Sequence, residues 1–343
     1  MSVSPIKAAA SAKNMRFGTA FFTGDTYLDN AYLGLMQEHC NVAVSENEHK
    51  WGDIRRNPPP EYRWQNGDTL VLWAQQNMID YRFHVLLWEV EERYPDWFAS
   101  YNWGTNEAAE AERLLTDHIE TVARRSPSDF YSWDVVNEAV DNTSGAYRET
   151  PFSRRLGGME NVVELAFRTA RAELPTAQLV YNDFMSWNSW SENHRTGVLR
   201  LLENMLAKGV PIDALGLQSH VWGPRSGGEE ATWRAFLKEV TDMGLELTIT
   251  ELDIEDQQLS ADIETRDQEI ADTTKAYLEA CFEFDQLRDV LCWGLVHRYS
   301  WLQTFQQRAD GLQKRGLPFA DDYRPTLMAE AILETFEGAT ARS

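Results

Sequence analysis

Long apolar runs are missing from this sequence: nothing in it approaches the ~18 consecutive apolar residues that a membrane-spanning helix needs. The N-terminal segment MSVSPIKAAASAKNM has alanines but no leucine-rich centre, so it does not read as a secretory leader. Cysteine is scarce too. Cys40, Cys281 and Cys292 form no CxxC pair or other metal-ligand spacing, and an odd number excludes a complete disulfide framework. Cys40 and Cys292 lie in apolar, strand-like runs that predict buried thiols, while a Cys281–Cys292 bridge is left open. Positive charge is also in short supply, with 32 Lys and Arg against 54 Asp and Glu and a formal net charge of −22. That balance speaks against nucleic acid and anionic membranes as partners, because both require a cationic face. It suits a neutral ligand and, as a bulk property, solubility. There is no Gly/Ser linker, low-complexity tract or abrupt compositional shift across the 343 residues, which points to one domain over 1–343 with its core at about 15–336.

What is present is a core-forming composition, 43% hydrophobic and 12% aromatic, arranged as strand-like runs separated by amphipathic stretches. The strand candidates are MRFGTA (15–20), NVAVSE (41–46), YRFHVLLW (81–88), YSWDVVNE (131–138), QLVYNDF (178–184), DALGLQSH (213–220), LELTITELD (245–253) and VLCWGLVH (290–297). Between them, 106–125 and 193–209 read as helices, the second stopped by Gly209 with Pro211 just beyond. Eight strands alternating with helices predict an α/β protein, a single (β/α)8 TIM barrel. An open doubly wound sheet is the alternative, but GTAFFTGD after the first strand lacks its GxGxxG phosphate turn.

The strand ends are unusually polar. Catalytic groups of such barrels sit at the C-terminal ends of strands, and here those positions carry Glu46 and Asn47, His84 and Trp88, Asn137 and Glu138, Asn182 and Asp183, Gln218 and His220, Glu251 and Asp253, and Trp293 with His297. Two glutamates on different strands suit glycoside hydrolysis, in which one carboxylic acid protonates the leaving oxygen and one carboxylate attacks or activates water. Tryptophans among amides, His, Lys and acids suit a pyranose, which has apolar faces and hydroxyl edges. Each residue also has a plainer reading. Glu138 alone could be a loop salt bridge, Asp183 or Asp253 a cap or an orienting group, His84 a core histidine and Lys50 a surface lysine. Trp97, Trp103, Trp187 and Trp190 fit either packing or outer sugar platforms. A metal hydrolase is the competing chemistry, but neither an HxH pair on the first strand nor an HExxH occurs.

Taken in order, SENEHKW, FHVLLW, WDVVNEAV, YNDF, GLQSH, TELDI and CWG…YSWL resemble glycoside hydrolase family 10, from about Phe17 to Pro325. That resemblance implies a (β/α)8 endo-β-1,4-xylanase with retention of configuration, needing no cofactor and no metal, with xylan or xylooligosaccharide as its partner. It implies Glu138 as acid/base and Glu251 as nucleophile. Asn137, Gln218 and His220 would contact the sugar or the carboxylates. Glu46, Asn47, Lys50, His84 and Trp88 would contact the glycone, Trp293 and Trp301 would close over the sugars, and Asn182 and Asp253 would support. It also implies secretion, with the cytoplasm as the alternative. A relative with altered glycone preference, or a non-catalytic xylan-binding protein, are the other readings. The chain departs from the family pattern at Glu89 and Glu91, where His and Gln are usual, at His49 in place of Met and at His297 in place of Asp. Glu89 is expected either to add negative charge near the sugar or to pair locally, for instance with Arg93.

Overall fold

The computed structural model describes residues 3–126, 128–224 and 227–343, so Met1 and Ser2 of the N-terminal segment lie outside it. Nine strands occur among the described residues: β1 (Arg16–Phe21), β2 (Val42–Ser45), β3 (Asp80–Trp88), β4 (Ser132–Asn137), β5 (Gln178–Asp183), β6 (Ala214–Leu217), β7 (His220–Trp222), β8 (Glu246–Glu255) and β9 (Leu287–Cys292). All pairings between them are parallel, and β6 also pairs with β8. That pairing closes β1–β6, β8 and β9 into an eight-stranded barrel, leaving β7 as a short extension beside the end of β8. The expected (β/α)8 barrel is therefore the fold, and the open doubly wound sheet is not.

Period-two alternation gives the barrel its two faces. On β3, Tyr81 and Phe83 point outward, where Phe83 stacks on Trp133 at 4.4 Å between ring centroids and meets Phe130 edge-on at 5.2 Å. Arg82 and His84 point inward, beside a small inner cluster of Ala20, Val42, Val44, Leu291 and Trp293. Outside, the helices lay apolar stripes on the strands. Helix Glu107–Arg125 starts where Asn106 Oδ1 accepts the Ala109 N–H, and it buries Leu114, Leu115, Ile119 and Val122. Each such side chain contributes about 1.5–3 kcal/mol of apolar burial.

Two strand boundaries differ from expectation. The run 213–220 breaks because Ser219 turns left-handed at φ 64° and ties its hydroxyl to Leu217 O and Tyr277, so β6 ends at Leu217 and β7 begins at His220. The run 290–297 is displaced to Leu287–Cys292, because Gly294 turns at φ 104° and sends Leu295 and Val296 under the C-terminal segment, where Val296 bridges Phe319. The three thiols are buried and unbridged, which closes the question of a Cys281–Cys292 disulfide. Cys281 Sγ instead accepts the Trp233 indole N–H at 3.2 Å.

Candidate active site

Asn137 and Glu138 are neighbours in sequence, yet both reach the barrel mouth. Strand alternation alone would send them to opposite faces. Glu138 avoids this by leaving β4 with φ 57°, a left-handed conformation that costs a non-glycine residue about 1–2 kcal/mol. Its backbone N–H is held by Asn182 O at 3.0 Å. The resulting cleft, about 760 Å³, is lined by Glu46, Asn47, Lys50, His84, Trp88, Asn137, Glu138, Gln218, His220, Glu251, Trp293 and Trp301. The two residues expected to support the site, Asn182 and Asp253, lie directly beneath it, fully buried.

A chain of amides joins the two glutamates. Thr250 Oγ1 donates to Asn182 Oδ1 at 2.8 Å, which fixes the orientation of that amide. Asn182 Nδ2 is thereby aimed at Glu251 Oε1 and Asn137 Oδ1, both at 2.9 Å. Gln218 Nε2 donates to the same Asn137 oxygen at 3.1 Å and to Glu138 Oε1 at 2.9 Å. With its oxygen occupied twice, Asn137 turns its NH2 to Glu138 Oε1 at 3.2 Å and to the open cleft. Gly216 makes room for this arrangement, since a Cβ there would stand 2.3 Å from Asn182 Oδ1.

The two carboxyls are driven in opposite directions. Burial raises the Glu138 pKa, and the negative charges of Asp183 and Glu251 add to the rise against the Gln218 hydrogen bond. Burial would raise Glu251 as well. There the His220 hydrogen bond and the charges of His84, His220 and Lys50 win and hold it at about 2. His220 Nε2 lies 3.4 Å from Glu251 Oε2, and its Nδ1 lies 2.9 Å from Asp253 Oδ1. Burial opposes protonation of His220, but Asp253 and Glu251 overcome it and lift its pKa to about 10. Asp253 Oδ2 also accepts the Trp301 indole N–H at 2.8 Å, coupling the histidine to one wall of the cleft. The site thus pushes one carboxyl toward its acid form and holds the other as a carboxylate.

Across the mouth, β2, β3 and β9 build a second wall. Lys50 Nζ donates to Asn47 Oδ1 at 3.1 Å and lies 4.9 Å from the Trp88 ring and 5.6 Å from the Trp293 ring. Glu46 faces the same space, and burial pushes its carboxyl up to about 7. His84 is buried under Trp293 with Nδ1 2.9 Å from Asp134 Oδ2, and Asp134 also takes Arg82 at 2.6 Å. Among the described residues no group of three or more His, Cys, Asp or Glu side chains is arranged to hold a metal ion.

Three expected positions fall elsewhere. Asp183 points out of the barrel, fully buried, with Oδ1 3.0 Å from His194 Nε2. His297 sits in the turn His297–Tyr299, buried, with Nε2 2.9 Å from Leu317 O, and does not line the cleft. Glu89 is fully buried behind Trp88, where it accepts the Tyr94 hydroxyl at 3.0 Å, so it neither faces the sugar space nor pairs with Arg93. Glu91 is at the surface with Arg154 at 2.9 Å, and His49 is buried 2.7 Å from Ser45 Oγ. Trp97, Trp103 and Trp187 are packing residues, whereas Trp190 is 52% exposed and lines the cleft with Trp222, their ring centroids 6.3 Å apart. Thr250 and Trp222 carry no expectation from sequence, and Arg93 is expected only as a partner of Glu89, not as a cleft residue. Thr250 follows Thr248 at period two in TITELD and could have been found that way; Trp222 ends the short strand β7 and Arg93 closes the turn after β3, where no pattern marks either.

A parallel eight-stranded barrel with two oppositely poised carboxyls at its mouth, flanked by indoles and amides, defines a glycosidase-type site. The Glycosyl hydrolase family 10 model matches residues 5–335, and the chain belongs to that family of hydrolases. It is 29% identical over 339 residues to endo-1,4-beta-xylanase B of Thermotoga neapolitana, spanning 97% of this chain and 92% of the relative. It is 32% identical over 277 residues to endo-1,4-beta-xylanase 3 of Hypocrea jecorina, spanning 78% of this chain and 72% of the relative. The crystal structure of xylanase 10B from Thermotoga petrophila RKU-1 in complex with xylobiose superposes with a TM-score of 0.86 at 27% identity, over 98% of both chains.

Proposed function

We propose that the protein is a retaining endo-β-1,4-xylanase in which Glu251 is the nucleophile and Glu138 the acid/base. Ionised Glu251 attacks C1 of the sugar on one side of the scissile bond, while protonated Glu138 gives its proton to the departing glycosidic oxygen. The C1–O bond breaks as the Glu251–C1 ester forms. Glu138, now a carboxylate, then takes a proton from a water that attacks C1, and Glu251 leaves as the carboxylate. Asn137, its NH2 turned into the cleft, holds a sugar hydroxyl beside the nucleophile. Glu46, Asn47, Lys50, His84 and Trp88 receive the glycone, and Trp293 and Trp301 cover the bound sugars.

The observation that carries this reading is the pair of glutamates at the barrel mouth joined by the Asn182–Asn137–Gln218 amide chain, with His220 against Glu251. The relatives named as xylanases and the structure with xylobiose support xylan as the polymer. Polymeric xylan does not cross a membrane, so the reading places the protein outside the cell. Among the described residues no helix is long and apolar enough to span a bilayer. Chromatography of the products from unsubstituted xylan is the test, with Glu251→Ala alongside. Short xylooligosaccharides from the wild type alone support the proposal. Monosaccharide alone from the chain end, or no product, defeats it.

A further inference from the structure

Arg93 holds a charge that the sugar chemistry above does not use. It closes the turn Glu91–Arg93 after β3 and lines the cleft beside Lys50 and Trp88, with its guanidinium carbon 4.8 Å from the centre of the Trp88 ring. Of the acids beside it in sequence, Glu91 is engaged by Arg154 at 2.9 Å and Glu89 by Tyr94 at 3.0 Å, while Glu92 is exposed and makes no ion pair with Arg93. Among the described residues, no carboxylate lies within ion-pair distance of Arg93; its neighbour Glu91 is taken by both guanidinium nitrogens of Arg154. Lys50, the other cation against the same indole, differs in this respect, because Glu251, Glu46 and Glu138 surround it and oppose its loss of charge.

A neutral pyranose needs platforms and hydrogen-bonding groups, not a net positive charge. The protein as a whole carries −22 and repels an acidic chain at long range, so an acidic ligand would need a local cation to receive it. We propose that Arg93 receives the carboxylate of an acidic sugar branch, a uronic acid carried on a glycone-side xylose. The planar guanidinium matches a carboxylate with two parallel N–H donors, and the Trp88 face fixes its plane. The enzyme then favours acidic, branched xylan over the bare backbone at this end of the cleft. The inference rests on the xylanase reading and on the Lys50–Trp88 wall being the glycone side.

The test compares kcat/KM for a uronate-branched and an unbranched xylooligosaccharide of equal backbone length, in wild type, Arg93→Gln and Arg93→Lys, at low and high salt. Arg93→Gln lowers the branched-to-unbranched ratio about tenfold, the size of one charge-assisted hydrogen-bond pair. Arg93→Lys, which keeps charge but not the fork, falls between, and high salt moves the wild-type ratio toward that of Arg93→Gln. A ratio unchanged in Arg93→Gln overturns the inference, whether both rates fall together, as they would if Arg93 only braced Trp88, or neither falls. If the wild type cleaves neither oligosaccharide, the xylanase reading fails with it.

Discussion

His220 lies 3.4 Å from Glu251, with a nitrogen facing a carboxylate oxygen inside the barrel mouth. As the proposed nucleophile Glu251 would attack only when ionised, so this contact is expected to set the acid side of the pH profile. The Glu251 pKa stands at about 2 through His220, His84 and Lys50 acting against burial. His220→Gln removes a positive partner, so the Glu251 pKa rises and the acid limb of kcat/KM moves to higher pH by about one unit or more. Rates on an aryl xylobioside from pH 2 upward measure it, and an acid limb at the wild-type position refutes the assignment.

As the proposed acid/base, Glu138 would have to be protonated to act, and its raised pKa keeps it so further toward neutrality than an ordinary glutamate. Activity is lost as pH climbs through that value. Glu138→Ala should lower turnover of xylan by about 10²–10⁴. On aryl glycosides with good leaving groups the loss is smaller, and azide restores product formation as a glycosyl azide. Glu251→Ala has no such rescue with retention. Identical losses without rescue in both variants would mean the roles are assigned wrongly.

Gly216→Ala places a methyl group 2.3 Å from Asn182 Oδ1. Asn182 must then shift, and it carries a 2.9 Å bond to Glu251. The expected result is a fall in kcat of about 10² with KM nearly constant, because transition-state geometry is lost and ground-state binding is not. Asn182→Ala should show the same split. A variant with wild-type kcat and a lowered Tm would reduce Gly216 to a packing role.

Glu89, buried away from the cleft, is expected to act on stability rather than on sugar binding. Burial lifts its pKa from the ordinary 4.5 to about 7, so the folded protein holds this proton more tightly than the unfolded chain. Stability is therefore lost as pH rises from 4.5 to 7, and the whole cost is present above 7. Glu89→Gln, which cannot ionise and can still accept the Tyr94 hydroxyl, should gain roughly 2–3 kcal/mol at pH 8 and almost nothing at pH 4. Melting curves at the two pH values check this, and equal shifts at both would contradict it.

The barrel was legible because its strands are apolar, short and evenly punctuated, and because both glutamates follow β-branched runs. Boundaries failed where a single backbone turn decided them. Ser219 and Gly294 end their strands by left-handed φ, although the flanking residues go on reading as strand. Glu89 misled because the step from Trp88, which lines the cleft, to a residue buried behind it is one of side-chain direction. His297 looked like a strand-end ligand because Leu295 and Val296 are apolar, but their burial is against the C-terminal segment. Trp190 and Arg93 come from short turns and Trp222 from the end of the three-residue strand β7, all too short for a periodicity to report their aim.

The most direct test of the central claim is to trap the glycosyl-enzyme with a 2-deoxy-2-fluoro-xylobioside bearing a good leaving group and to map the labelled peptide. The account predicts one xylobiosyl group per chain, attached at Glu251, with release of the leaving group in equal amount. A label on Glu138, or full inactivation without a covalent sugar, would contradict it.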